Sequence, residues 1–128
     1  MEYKYSDITS QLINAAMEVH GILGNGFQEV IYQRAYEIEL GQKKSLTVVR
    51  EFEMSINYKG QIIGTRRVDF LINNLISIEI KAVIKLEDVH LAQALNYLEA
   101  YNLEVGLLIN FGAKALNLKG FTIKNTSP

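Results

Sequence analysis

Two acidic residues and a lysine interrupt two strongly apolar segments near the middle of the chain. Asp69 lies in segment 67–72, and Glu79 and Lys81 lie in segment 75–81, where most neighbours are valine, isoleucine, leucine or phenylalanine. Because a charged side chain is costly to bury, such residues usually face either solvent or a site that uses their charge. These three residues are therefore the first candidates for a functional site.

The apolar pattern predicts how the two segments pair. Apolar residues occupy every second position of both segments, as Val68, Phe70 and Ile72 and then as Ile76, Ile78 and Ile80. Burying both rows on one face requires an antiparallel hairpin in which Ile72 meets Ile76. The remaining loop, 73–75, begins with two asparagines, which tolerate a left-handed backbone. This register places Asp69 opposite Glu79.

Two carboxylates facing each other across a ladder, with β-carbons about 5 Å apart, repel unless a cation lies between them. We interpret Asp69 and Glu79 as a divalent-metal site, and the same register sets Arg67 opposite Lys81. The alternative is a solvent-exposed strand face with a cross-strand salt bridge. A Glu-x-Lys triplet is weak evidence alone, since a second one occurs at residues 2–4.

Periodic apolar residues predict the elements that position this hairpin. Helices are expected at 6–23, 27–40 and 88–101, and strands at 47–58, 62–72, 75–81, 104–111 and 121–124. The first three strands form an antiparallel meander. Because a helix separates the third strand from the fourth, a right-handed crossover should make those two strands parallel. The last strand is expected at a sheet edge.

Helix ends and faces are also predicted. Ser6 or Asp7 is expected to cap the first helix, and Asp88 the third. In the second helix the expected inward residues are Val30, Ile31, Ala35 and Ile38. The residues expected on its other face are Glu29, Tyr32, Gln33 and Tyr36. Glu29 is therefore expected on the side of the second helix that faces away from the core.

Length and composition set broad bounds. The chain has 128 residues, no cysteine and a formal net charge of -1, with a pI near 6.1. A single domain over 1–128 can bury a core without disulfides, and the lack of cysteine fits a cytoplasmic protein. No apolar run approaches membrane-spanning length, and the polar N-terminus is unlike a signal peptide, so we expect a soluble protein. The net charge argues against non-specific electrostatic binding of nucleic acid by the whole surface.

The order of elements resembles the α-β-β-β-α-β core of the PD-(D/E)xK nuclease superfamily, with an additional N-terminal helix. The expected fold class is thus α/β, a mixed sheet of restriction-endonuclease type. Residues 26–32 match the G-x-x-E-x-x-Y motif that names one family within it. Further matches in the family's order are Tyr58-Lys59-Gly60, Arg67-x-Asp69, Glu79-x-Lys81, Gln93-x-x-x-Tyr97 and residues 105–111. Val68 stands where the superfamily name carries proline.

The resemblance implies phosphodiester hydrolysis assisted by Mg²⁺ or Mn²⁺. Asp69, Glu79 and the backbone carbonyl of Ile80 would supply oxygen ligands, with Glu29 as a further candidate. Lys81 would orient a water or balance charge in the transition state. Gln93 would point toward the metal centre. Candidate phosphate contacts are Arg66 or Arg67, and Lys59.

Two classes of function remain open from the sequence. The first is a metal-dependent nuclease acting on DNA. The second is a nuclease-fold protein that binds nucleic acid or a protein partner without cutting, which the acidic pI favours. A homodimer is expected, because one small domain offers a duplex little surface. Its candidate interface residues are Tyr3, Tyr5, Tyr36 and Phe121, for which capping of the core edge is the alternative.

Overall fold

The expected helices and strands form in the expected order. A computed structural model describes residues 5–122, with the backbone alone at 100 and 101. The elements are α1 (Ser6–Leu23), α2 (Glu29–Gly41), β1 (Val48–Tyr58), β2 (Gln61–Ile72), β3 (Ile76–Lys81), α3 (Asp88–Tyr101), β4 (Val105–Asn110) and β5 (Asn117–Thr122). The last strand starts earlier than predicted, and positions 123 and 124 lie outside the described residues. Within residues 5–122 no helix is long and apolar enough to cross a membrane.

The strands form one five-stranded sheet in the order β1-β2-β3-β4-β5. β3 and β4 are parallel, as the intervening helix predicts, and the other neighbours are antiparallel. Ile72 pairs with Ile76, so the predicted hairpin register is confirmed. Asn73 and Asn74 both have positive φ angles, of 53° and 56°, as the short loop requires.

The main core lies between one face of the sheet and the helices α1 and α2. The predicted inward face of α2 is wrong for Ile38, which is 64% exposed, and it missed the buried residues Tyr32, Tyr36 and Leu40. Of the predicted residues, Ala35 packs against the core. Burial of two tyrosines is tolerated because their hydroxyls are bonded: that of Tyr36 donates to the Leu12 carbonyl at 3.0 Å. Tyr36 therefore cannot contribute to a dimer interface.

α3 packs on the opposite face of the sheet. A β-carbon at Gly106 would lie 2.8 Å from Leu98 and 3.0 Å from the Ser77 hydroxyl, so helix and strand approach closely there. The predicted caps are displaced by one residue. Glu87, not Asp88, caps α3, in a reciprocal box with His90. Tyr5 precedes α1 with no side-chain cap bond.

β2 and β3 separate soon after their turn. Their ladder contains only Ile72–Ile76, Leu71–Ser77 and Phe70–Ile78. β1 and β2 nevertheless stay paired out to Tyr58–Gln61. Residues 53–67 thus form a two-stranded extension, which we call the hairpin arm, that diverges from β3. β3 itself is contacted by α2 and by α3.

Candidate active site at the separation of β2 and β3

Asp69 lies where the β2–β3 ladder ends. Its Oδ2 accepts a hydrogen bond of 2.6 Å from the Ile80 amide, so a side chain replaces the backbone partner that β2 would otherwise supply. Arg67 does not face Lys81 as predicted, because the ladder stops at Phe70–Ile78. Its guanidinium instead lies 3.8 Å from the Glu51 carboxylate, toward solvent.

Glu79 is held in an environment that disfavours its charge. The residue is only 9% exposed, and within the described chain its Oε1 is buried without a hydrogen-bond partner. Burial, followed by the negative charge of Asp69, raises the pKa of Glu79 to about 9. Burial also raises the pKa of Asp69, although the Ile80 amide opposes that shift. The two acids therefore interact directly, as the predicted metal site requires.

Lys81 and Glu29 complete the charged cluster. The Lys81 ammonium is close enough to lower the pKa of Asp69, Glu79 and Glu29. Glu29 is the first residue of α2, where the helix dipole favours a negative charge, yet burial raises its pKa overall. The negative charge of Asp69 also raises the pKa of Glu29, so Glu29 lies within electrostatic range of Asp69, and its predicted role in the site stays a prediction.

The motif over residues 26–32 positions Glu29 by ordering the loop before it. The Tyr32 hydroxyl donates to the Gly24 carbonyl at 2.6 Å and accepts from the Phe27 amide at 3.2 Å. Gly26 has φ 109°, a conformation that side chains rarely adopt. The Tyr32 ring stacks on Phe111, with centroids 5.0 Å apart. The motif's tyrosine is therefore structural, and its glutamate alone faces the cluster.

Gln33 was not identified from the sequence as a site residue. Its amide nitrogen lies 3.4 Å from Asp69 Oδ1. Its amide oxygen is 3.5 Å from Arg50, which also bonds Glu37 at 2.7 Å. The signal was present, because Gln33 is one helical turn after Glu29 and so shares its face. This series of contacts, from Glu37 through Arg50 and Gln33, orients Asp69 Oδ1.

Gln93 and Tyr97 lie one turn apart on α3. Tyr97 is buried, and its hydroxyl donates to the Arg67 carbonyl at 3.2 Å. The Arg66 guanidinium lies 4.0 Å from the centre of the Tyr97 ring and lowers the pKa of Glu79. Gln93 is half-buried, and among the hydrogen bonds of residues 5–122 none joins it to either acid. Arg66, rather than Arg67, thus faces the site.

Asn110 fixes the chain just beyond Lys81. Its side chain is fully buried, accepts from the Val83 amide at 2.9 Å and donates to the Val83 carbonyl at 2.8 Å. A β-carbon at Gly112 would lie 2.4 Å from the Val83 nitrogen. Both residues hold the segment after β3 against the end of β4. Asn110 is therefore structural, and its place makes it a support for Lys81.

The residues present suit a hard cation, although with few protein ligands. In the part of the chain that the structure describes, no three acidic, histidine or cysteine side chains are arranged to hold a metal ion. Glu29 therefore does not join Asp69 and Glu79 as a third converging ligand. The unpartnered Glu79 Oε1 beside Asp69 is still the donor set that Mg²⁺ accepts, since Mg²⁺ commonly keeps several waters and binds one or two carboxylates.

A mixed sheet covered on both faces by helices, with an acidic pair where two central strands separate, defines a restriction-endonuclease-like fold. A comparison with protein families matches residues 6–121 to the PD-(D/E)XK nuclease superfamily. The chain belongs to that superfamily, whose name indicates nuclease function and hence nucleic-acid binding.

The crystal structure of SSO0001 is similar in fold, with a TM-score of 0.55 and 21% sequence identity. The similarity covers 92% of this chain but 59% of SSO0001, so the chain spans less than two thirds of that protein's length. No match was found among the curated proteins.

Proposed function

We propose that this protein is a hydrolase that cleaves phosphodiester bonds in DNA with the help of Mg²⁺ or Mn²⁺. The observation that carries the proposal is the buried, unpartnered Oε1 of Glu79 beside the Asp69 carboxylate. Two adjacent buried acids repel each other unless a shared proton, a cation or a reacting group offsets their charge, and the pair here hydrogen-bonds when Glu79 is protonated. The superfamily assignment supports the same chemistry.

Asp69, Glu79 and the Ile80 carbonyl are the proposed metal ligands. The Lys81 carbonyl accepts from Phe111 on the β4 side, so the neighbouring Ile80 carbonyl points the other way, as its amide does toward Asp69. A bound divalent cation would polarise the phosphate and lower the pKa of a water. The three oxygen donors thus belong to the point where β2 and β3 separate.

The remaining residues act on charge and orientation. Lys81, two residues after Glu79 on β3, can orient the attacking water or neutralise charge on the pentavalent phosphate. Glu29 at the start of α2 and Gln93 on α3 are the further candidates for holding that water. Such placement matters because attack must be in line with the leaving oxygen.

Calorimetric titration with Mn²⁺ and a supercoiled-plasmid nicking assay test this function. Asp69→Asn should lose both Mn²⁺ binding and nicking, whereas Asp7→Asn, which changes an exposed acid in α1, should keep both. Wild-type protein that binds Mn²⁺ and DNA but never nicks would favour the non-cutting alternative. Wild-type protein that binds no Mn²⁺ would contradict the metal site.

We further propose that the protein works as a homodimer. Of the expected interface residues, Tyr36 is excluded by burial, Tyr3 lies outside the described residues, and Tyr5 packs partly against the core. Phe121 lines an apolar groove of about 390 Å³ between α1 and the β4–β5 edge. Light scattering at micromolar concentration tests this, since a mass of 14.5 kDa would mean a monomer.

Two finer assignments complete the proposal. Membership of the G-x-x-E-x-x-Y family is supported by the roles of Gly26, Glu29 and Tyr32 in forming the loop and presenting the acid. A cytoplasmic location is supported by the absence of cysteine from the chain. Fractionation of cells that produce the protein tests the second assignment.

A further inference from the structure

We propose that Arg66, held against the Tyr97 ring, forms a binding site for a backbone phosphate of the nucleic acid next to the Asp69–Glu79 pair. The inference rests on the proposed nuclease function and adds to it a substrate contact outside the metal ligands. It also assigns a role to the hairpin arm, which would carry the contact on its inner end.

The contact between Arg66 and Tyr97 fixes the guanidinium in place. Its central carbon lies 4.0 Å from the ring centre, and Arg66 is half-buried. The ring is itself fixed, because Tyr97 is 5% exposed and its hydroxyl donates to the Arg67 carbonyl. The Tyr97 side chain uses part of the hydrogen-bonding capacity of Arg66, but a guanidinium has five N–H donors, so others remain for an anion. Little conformational freedom is then lost when an anion binds.

The charge of Arg66 is incompletely matched by the protein. Arg50 lies 2.7 Å from Glu37, and Arg67 lies 3.8 Å from Glu51. Arg66 makes no ion pair within 4.0 Å with any carboxylate of residues 5–122. Arg66 lies on β2 three residues before Asp69, so it shares a strand with one of the two acids. A planar donor group beside a phosphodiesterase site suits a phosphate, which arginine binds with two parallel hydrogen bonds.

The distance along the strand suits a neighbouring phosphate. Arg66 precedes Asp69 by three residues, about 10 Å along a strand. The rise of a DNA strand is about 3.4 Å per nucleotide, so the contact would fall within about three nucleotides of the bond to be cut. On this side the ladder with β3 ends at Phe70, so Arg66 lies on a part of β2 that is paired with β1 but not with β3.

Binding of a fluorescein-labelled DNA duplex, followed by anisotropy in buffer with EDTA, tests the site without cleavage. Arg66→Ala should weaken binding about tenfold and lower the slope of log K against log salt by about one. Arg67→Ala is the matched control, because it removes the same charge from the adjacent, solvent-facing position and should change binding less than twofold. Arg66→Lys should recover only part of the loss, since lysine lacks the planar group.

Equal effects of Arg66→Ala and Arg67→Ala would overturn the proposal, as would wild-type protein that binds no duplex. Thermal unfolding of each variant separates a binding defect from a folding defect, and Arg66→Lys provides a second reading if Arg66→Ala does not fold. A parallel nicking assay with Mn²⁺ separates the two proposals. Selective loss of binding in Arg66→Ala without wild-type nicking would retain the phosphate site and reject the nuclease. Nicking by the wild type together with unchanged DNA binding by Arg66→Ala would retain the nuclease and reject the phosphate site.

Discussion

Replacing Glu79 with glutamine should stabilise the metal-free protein at neutral pH. The pKa of Glu79 is raised from 4.5 to about 9, chiefly by burial. A carboxyl group whose folded-state pKa lies above its unfolded value binds its proton more tightly when folded. Its unfavourable effect is therefore absent below about pH 4.5, grows as the pH rises toward 9, and is constant above that value.

The magnitude follows from the same numbers. The unfolded-state pKa of 4.5 lies about 2.5 units below pH 7, and each unit corresponds to about 1.4 kcal/mol. Ionisation of Glu79 in the unfolded state therefore lowers the free energy of unfolding by about 3 kcal/mol at pH 7. Glutamine carries no charge and escapes this cost, but its amide must be buried where Oε1 has no partner. We therefore expect Glu79→Gln to raise the free energy of unfolding by about 1 to 3 kcal/mol.

Urea unfolding followed by circular dichroism, in EDTA at pH 5, 7 and 8.5, measures the effect. The wild type should lose stability across this range and Glu79→Gln should lose less, with a residual slope because the pKa of Asp69 is also raised. Glu99→Gln, at an exposed position of α3, should follow the wild type. A destabilised Glu79→Gln, or one with the wild-type slope, would mean that Glu79 is stabilised as an ion pair and would refute the reasoning.

Two further predictions concern the supports of the site. Gly112→Ala should destabilise the fold by about 2 to 4 kcal/mol in thermal unfolding, because its β-carbon would overlap the Val83 backbone. Gly41→Ala, which has open space at that position, should be neutral, and equal effects would contradict the close contact. Gln33→Ala should weaken Mn²⁺ binding about tenfold in calorimetry with little change in melting temperature, because Asp69 loses an orienting partner. Unchanged affinity would show that the Ile80 amide alone orients Asp69.

The hairpin register was predictable because independent signals agree on it. Alternating isoleucines specify one face, and the asparagine turn is compatible with the loop length that this face requires. The parallel pairing of β3 and β4 followed from the intervening helix in the same way. Local pattern and connection length together determined most of the sheet.

The orientation of α2 was not predictable from polarity. Tyrosine is intermediate on hydrophobicity scales, and its burial depends on whether a hydroxyl partner is available. For Tyr36 that partner is the Leu12 carbonyl of α1, and for Tyr32 it is the Gly24 carbonyl. Neither contact can be read from the spacing of residues in α2, so the inward face was assigned to smaller apolar residues, of which Ile38 is exposed.

The end of the β2–β3 ladder could likewise not be predicted from the sequence, although the candidate site depends on it. A continued ladder would give the Ile80 amide to a β2 carbonyl and place Asp69 and Glu79 on a closed sheet surface. Asp69 accepts a hydrogen bond from that amide instead. The backbone pair is therefore absent at this point, and the Asp69 carboxylate is held in a fixed orientation. The separated strand then continues as the hairpin arm and brings Arg66 beside the acids. One side-chain hydrogen bond thus couples the separation of the two strands to the orientation of an acid proposed to act in catalysis.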